Sequence, residues 1–189
     1  MKYRNELPIV YYGSSITQGA CASHPGNAYE NVISRELGLD FINLGLSGNG
    51  KGEDVMVEYL ASLPMLAFVS DYDHNAHTWE HLANTHCKLY RTIREKHPDI
   101  PYLMITRPDD YSTHYDVTLS NRDVIMETFR YARERGDGNV YYLDGSEIFR
   151  GAHEDQCTVD GTHPNDFGFS LMADAIGCAL RRMLMQKDI

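Results

Sequence analysis

Five short apolar runs, each followed by a longer amphipathic segment, constrain the fold of this chain more than any other feature. The runs cover residues 8–12, 40–44, 65–70, 102–106 and 140–143. They are too short for stable helices and suit strands buried on both faces. Between and after them lie segments with apolar residues at helical spacing: 27–37, 53–63, 78–97, 118–135 and 166–185. In 78–97 the stripe is Trp79, Leu82, Ala83, His86, Cys87, Tyr90, Ile93 and Arg94. In 166–185 it is Met172, Ile176, Ala179, Leu180 and Met183. Alternating strand and helix imply a parallel sheet covered on both faces. Right-handed crossovers then predict an α/β fold, a three-layer α/β/α sandwich with a five-stranded parallel sheet. Ligands bind beyond the carboxyl ends of such strands. The residues expected to converge are therefore 13–15, 45–52, 71–75, 107–110 and, after a loop, 160–163.

The chain has 189 residues, 42% of them apolar, with Gly and Pro scattered and no repeat or linker. The expectation is one domain over residues 1–189. Lys and Arg total 17 against 27 Asp and Glu, a net charge of −10. With no basic stripe to follow a phosphate backbone, nucleic acid and anionic membranes are not expected partners. The first residues lack the apolar core of a signal peptide and no run reaches membrane-spanning length, so a cytoplasmic protein is expected. The cysteines, Cys21, Cys87, Cys157 and Cys178, show no metal-type spacing, and reduced thiols are the expected state. Cys21 and Cys157 each lie a few residues from a candidate catalytic segment, which leaves open that they are neighbours. Nothing in the sequence sets the oligomeric state.

The first run leads into Tyr12-Gly13-Ser14-Ser15-Ile16-Thr17-Gln18-Gly19. A strand end is rigid, and the N–H groups that follow it can point at developing negative charge. Gly13 permits the close turn and Ser15 is the better placed hydroxyl. Alone, such a stretch is usually just a turn. A serine becomes a nucleophile when a base takes its proton, and Asp160-Gly161-Thr162-His163-Pro164-Asn165 offers one. His163 would be the base, and Asp160, three residues earlier, would fix its tautomer. Pro164 could start the last helix and hold His163 at the rim. For the oxyanion, the candidate donors are the N–H groups of Ser15 and Gly48 and the Asn75 amide. Gly48 also reads as an ordinary glycine of a turn, and Asn75 as a turn or capping residue.

These blocks resemble those of the SGNH hydrolases, or GDSL-type esterases. Ser15 within Gly-Ser-Ser-Ile, Gly48 within Ser-Gly-Asn-Gly, Asn75 within Asp-Tyr-Asp-His-Asn, and Asp160-Gly-Thr-His163 occur in the family's order, from Ile9 to about Ile176. The resemblance implies a flavodoxin-like sandwich and ester hydrolysis through a serine acyl-enzyme, without metal or other cofactor. It implies Ser15 as nucleophile, His163 as base, Asp160 as its partner, and Ser15, Gly48 and Asn75 as the oxyanion hole. Two departures stand out. Ser14 replaces the aspartate of the name-giving block, and Asp73-His74-Asn75-Ala76 replaces Gly-x-Asn-Asp. Ser14, Asp73, His74 and Arg107 are the candidate substrate-binding residues, and Asp73 and His74 crowd the oxyanion region. The branch most resembled often carries a β-sandwich domain before the hydrolase domain. Here the chain starts almost at the first strand, so the expectation is that this domain is absent or was removed.

The expected substrate is a short acyl ester, acetyl on a sugar or similar polyol, since no long apolar lid is present. Tyr72, Trp79, Tyr111 and Tyr115 could stack on a sugar or pack in the core or at the rim. Arg107 could bind a polar substrate group or pair with Asp109, Asp110 or Asp71. Three rival readings remain. Residues 45–52, Gly-Leu-Ser-Gly-Asn-Gly-Lys-Gly, nearly match a phosphate loop for a nucleotide, but Gly52 offers no hydroxyl to Mg²⁺. Asp71, Asp73, His74, His77, His81 and His86 crowd one region, where only His77 and His81 have ligand-like spacing. A non-catalytic carbohydrate-binding protein would keep the fold and lose the chemistry.

Overall fold

The computed structural model describes residues 3–108, 115–151 and 154–186, with no side-chain description for 115–119 and 154. Its five strands are β1 (Ile9–Gly13), β2 (Phe41–Gly45), β3 (Ala67–Asp71), β4 (Tyr102–Ile105) and β5 (Val140–Leu143). All pair in parallel, in the order β2-β1-β3-β4-β5. The helices are α1 (Ser15–Gln18), α2 (Tyr29–Leu37), α3 (Asp54–Ser62), α4 (Trp79–Lys96), α5 (Tyr115–Glu134) and α6 (Asp166–Met185). This is the three-layer α/β/α sandwich expected. Strands and long helices lie within three residues of the predicted boundaries. The unpredicted helix is α1, whose four residues are too few to show a period.

Alternating side chains of each strand enter opposite layers. Ile9 and Tyr11 pack with Tyr29, Ile33, Met172, Ile176 and Leu180 of α2 and α6. Val10 and Tyr12 pack with Val57, Leu60, Leu82, Leu89 and Ile125 of α3, α4 and α5. A strand buried on both faces needs apolar residues at every position, and β1 is buried throughout. On α4, Leu82, His86, Leu89, Tyr90 and Ile93 face inward, while Trp79 is 48% exposed at its start. No described helix is long and apolar enough to cross a membrane.

The strand order puts the topological switch between β1 and β3. Gly13, the last residue of β1, is level with Gly45 and Asp71, the last residues of its two neighbours. In sheets of this kind the crevice opens at that point. It is also where Ser15 emerges.

Candidate active site

Ser15 opens α1 immediately beyond β1. Ser14 is fully buried, and its Oγ accepts from the Ile16 N–H, capping the short helix. Ser14 therefore shapes the turn that carries Ser15 and offers no face to a substrate. Gly13 is required: a Cβ there would lie 2.0 Å from Thr17 Oγ1 and 2.4 Å from the Asp71 carbonyl oxygen. Gly45 is required as well, since its Cβ would meet Gln18 N at 2.1 Å.

His163 arrives from the far end of the chain. Its Nε2 lies 2.9 Å from Ser15 Oγ, and its Nδ1 lies 2.7 Å from Asp160 Oδ2. The other Asp160 oxygen accepts from the backbone N–H groups of Thr162 (3.0 Å) and His163 (2.7 Å). Hydrogen bonds from the His163 backbone and ring are the main reason the Asp160 carboxyl is held down to about 2. An ionised carboxylate only accepts, so Nδ1 carries the ring proton and Nε2 is left to accept from Ser15. A small closed loop holds this geometry. Thr158 and Pro164 form an antiparallel bridge, and the Val159 N–H donates to the His163 carbonyl at 2.9 Å. Pro164 does not start α6; it belongs to that bridge. Asn165 is the cap, its Oδ1 accepting from the N–H groups of Phe167 and Gly168. The His163 and Asp160 side chains are 30% and 50% exposed, so the relay sits at an open rim.

Asn75 lies in a 3₁₀ turn, Asp73–Asn75, just beyond β3. Its Oδ1 accepts from the Gly50 N–H at 3.0 Å, which fixes the amide's orientation and leaves Nδ2 as the atom able to donate elsewhere. Gly50 fits only as glycine, because a Cβ would lie 2.3 Å from the Gly13 carbonyl oxygen. Gly48, in the same loop, is exposed with φ +69, and nothing lies within 4 Å of a Cβ built on it. Its glycine identity thus answers the left-handed backbone, with no protein neighbour demanding it.

Asp73 is buried and turned away from solvent. Its Oδ2 accepts from the Arg107 backbone N–H at 3.0 Å and lies 3.6 Å from Arg107 Nε. The Asp73 carbonyl accepts from Arg107 Nη2 and from Asn121 Nδ2, each at 3.2 Å. Burial raises the Asp73 carboxyl, with Arg107 pulling the other way. Asp73 and Arg107, expected at the substrate, are thus bound to each other and brace the turn that carries Asn75. Asp109 and Asp110, two expected partners of Arg107, lie outside the described residues. His74 is half-buried beside Arg107 and His163. Burial, and after it the neighbouring Arg107 guanidinium, push its imidazole well below the usual range.

The phosphate-loop reading meets a different geometry. The Gly50 N–H is spent on Asn75, the Gly52 N–H on Tyr12 Oη at 2.8 Å, and the Lys51 carbonyl on His81 Nε2 at 2.8 Å. Glu53 and Asp54 follow where a phosphate would sit. The histidine cluster also disperses: His81 serves that loop, and His86 is buried against Tyr72. Among the described residues no three His, Cys, Asp or Glu side chains are grouped to hold a metal ion. Tyr72 is core, with Oη 3.0 Å from Thr85 Oγ1, while Trp79 is exposed. Tyr111 and the Tyr115 side chain lie outside the described residues. None of the four cysteines forms a disulfide; Cys21 is exposed and Cys157 buried.

A family model for GDSL-like lipase/acylhydrolases matches residues 6–181. Among solved structures, a protein described as a GDSL-like lipase from Bacteroides ovatus is 35% identical, with a TM-score of 0.87. The match covers 97% of this chain and 55% of that one. The salicylyl-acyltransferase SsfX3 from a tetracycline biosynthetic pathway is 22% identical (TM-score 0.78; 98% and 56% covered). A two-domain esterase active on acetylated mannans is 23% identical (TM-score 0.70; 94% and 49% covered). The chain thus spans about half the length of these structures. No curated protein matches it.

Proposed function

Because the chain belongs to the GDSL-like lipase/acylhydrolase family, we propose that it is a serine esterase that removes a short acyl group, acetyl above all, from a carbohydrate or similar polyol. The observation that carries the reading is the unbroken relay from Ser15 Oγ through His163 to Asp160, with links of 2.9 and 2.7 Å.

The chemistry follows from the proton positions. His163 Nε2 takes the Ser15 proton as Oγ attacks the ester carbonyl, and Asp160 stabilises the imidazolium that results. Negative charge gathers on the former carbonyl oxygen, where the Ser15 and Gly48 N–H groups and Asn75 Nδ2 are the donors assigned to it. Each such donor lowers the barrier by ~3–4 kcal/mol. The imidazolium then protonates the departing alcohol, leaving an acyl group on Ser15. Water enters, gives its proton to Nε2, and releases the acid. No metal or other cofactor has a step in this sequence.

The open rim supports the choice of alcohol. Asp160 and His163 are part-exposed, Gly48 faces open space, and Val159, next to Asp160, is 57% exposed. A bulky sugar can approach such a site, whereas a long acyl chain would need an enclosed apolar channel. That one structural neighbour acts on acetylated mannans agrees with this direction. The test is hydrolysis of p-nitrophenyl acetate, butyrate and octanoate, followed by a panel of acetylated oligosaccharides, with Ser15→Ala as control. Preference for acetate and release of acetate from a sugar support the reading. Preference for octanoate, or turnover by Ser15→Ala, contradicts it.

A further inference from the structure

Beneath the nucleophile lies a buried acidic group that the reaction itself does not use. Thr17, the third residue of α1, donates from Oγ1 to Asp71 Oδ2 at 3.1 Å. The Tyr29 hydroxyl lies 3.3 Å from the same Oδ2 and 3.2 Å from Thr17 Oγ1. The Asp71 carbonyl also accepts from the Ser14 N–H at 3.3 Å, and Asn43 Nδ2 donates to the Thr17 carbonyl at 2.6 Å. Thr17, Tyr29, Glu30 and Asp71 are all 0–1% exposed. A four-residue helix has almost no stability of its own. Its position is therefore set by these contacts and by its close seat on Gly13 and Gly45.

We propose that Asp71 is a positioning residue for Ser15, acting through Thr17 as a buried acid that clamps the nucleophile's turn to the end of β3. This rests on Ser15 being the nucleophile. Asp71 faces Tyr29 and Glu30 from α2, Asp73 from the following turn and Arg107 from the exit of β4; Tyr11 on β1 faces Glu30. Burial pushes Asp71 up to about 8, and the neighbouring Asp73 adds to the rise. The Thr17 and Tyr29 hydroxyls and Arg107 oppose it. Burial, and then Asp71, push Glu30 well above its ordinary range too. At neutral pH the clamp is thus an uncharged acid. Above about pH 8 it becomes an anion that repels Asp73 and places negative charge beneath the turn that carries Ser15. Both effects lower kcat.

The experiment measures kcat and KM for p-nitrophenyl acetate from about pH 6 to about pH 10, each enzyme referred to its own rate at neutral pH, with Ser15→Ala as the blank. Wild type is expected to lose about tenfold in kcat above pH 8, the scale of a buried charge acting on the transition state. Asp71→Asn keeps the shape of the side chain and cannot ionise, so that fall disappears. Thr17→Val loses kcat by roughly 10- to 100-fold with KM nearly unchanged, as a displaced nucleophile should, and Thr17→Ser restores most of it. Coincident pH profiles for wild type and Asp71→Asn, or wild-type kcat in Thr17→Val, overturn the inference and leave the serine mechanism standing. Wild-type turnover by Ser15→Ala would instead overturn that mechanism, and the inference with it.

Discussion

Ser15 Oγ and His163 Nε2 lie 2.9 Å apart although 148 residues separate them in the chain. One stands on the turn after the first strand and the other in the small closed loop before the last helix. Two elements thus support a single hydrogen-bonded contact, and in the proposed mechanism neither group has a use without the other.

Ser15→Ala and His163→Ala are each expected to lower kcat by ~10⁴-fold or more, and the double variant by little further, because the two act as a unit. Steady-state rates on p-nitrophenyl acetate check this. Multiplying losses would separate their roles.

Asp160 sets the tautomer of His163. Its folded-state pKa of about 2 is depressed, so its contribution is fully present above the ordinary carboxylate range and is lost only as pH falls through about 2. Asp160 therefore does not titrate in the working range. Asp160→Asn should keep the fold and lose kcat by ~10⁴-fold, the cost of the wrong tautomer. Circular dichroism and a pH–rate profile read both.

Asn75→Ala removes one proposed oxyanion donor and leaves the Gly50 N–H with the Leu46 carbonyl as its acceptor. The expected loss is ~10²–10³-fold in kcat with KM little changed. A change confined to KM would place Asn75 in ground-state binding instead.

Arg107→Met leaves the Asp73 carboxyl buried without its guanidinium. Breaking such a pair from one side costs ~3–5 kcal/mol, measured by denaturant unfolding at neutral pH. The sign with pH is defined. Asp73 already has a raised folded-state pKa, and losing Arg107 raises it further. Stability of the variant is then fully present below the unfolded value and falls as pH rises through the folded one, so its deficit shrinks in acid. Asp73→Asn combined with Arg107→Met should be less destabilised than Arg107→Met alone.

Much of this arrangement was legible in the residues. The sheet could be read because a strand buried on both faces must be apolar at every position, as β1 is. The serine, histidine and aspartate could be read because each lies at a strand exit or in the last loop, in an order the family shares. Partners distant in the chain could not. Asn75 meets Gly50 across 25 residues and Thr17 meets Asp71 across 54, and no local pattern signals either pairing. Asp71 reads as the polar end of an apolar strand, a description that fits a ligand as well as a buried clamp. Adjacency to the site in sequence points Ser14 and Asp73 toward the substrate, while the backbone turns each inward to cap or brace a neighbour. Pro164 fits a helix start by type, but the bridge to Thr158 takes it first.

The most direct test of the central claim uses a fluorophosphonate, which bonds covalently only to a serine whose proton is being taken. Peptide mass spectrometry after labelling should find one adduct, on the peptide bearing Ser15, and none when His163 is replaced by alanine. An unlabelled wild-type enzyme that still hydrolyses its ester, or an adduct on a different serine, would contradict the account.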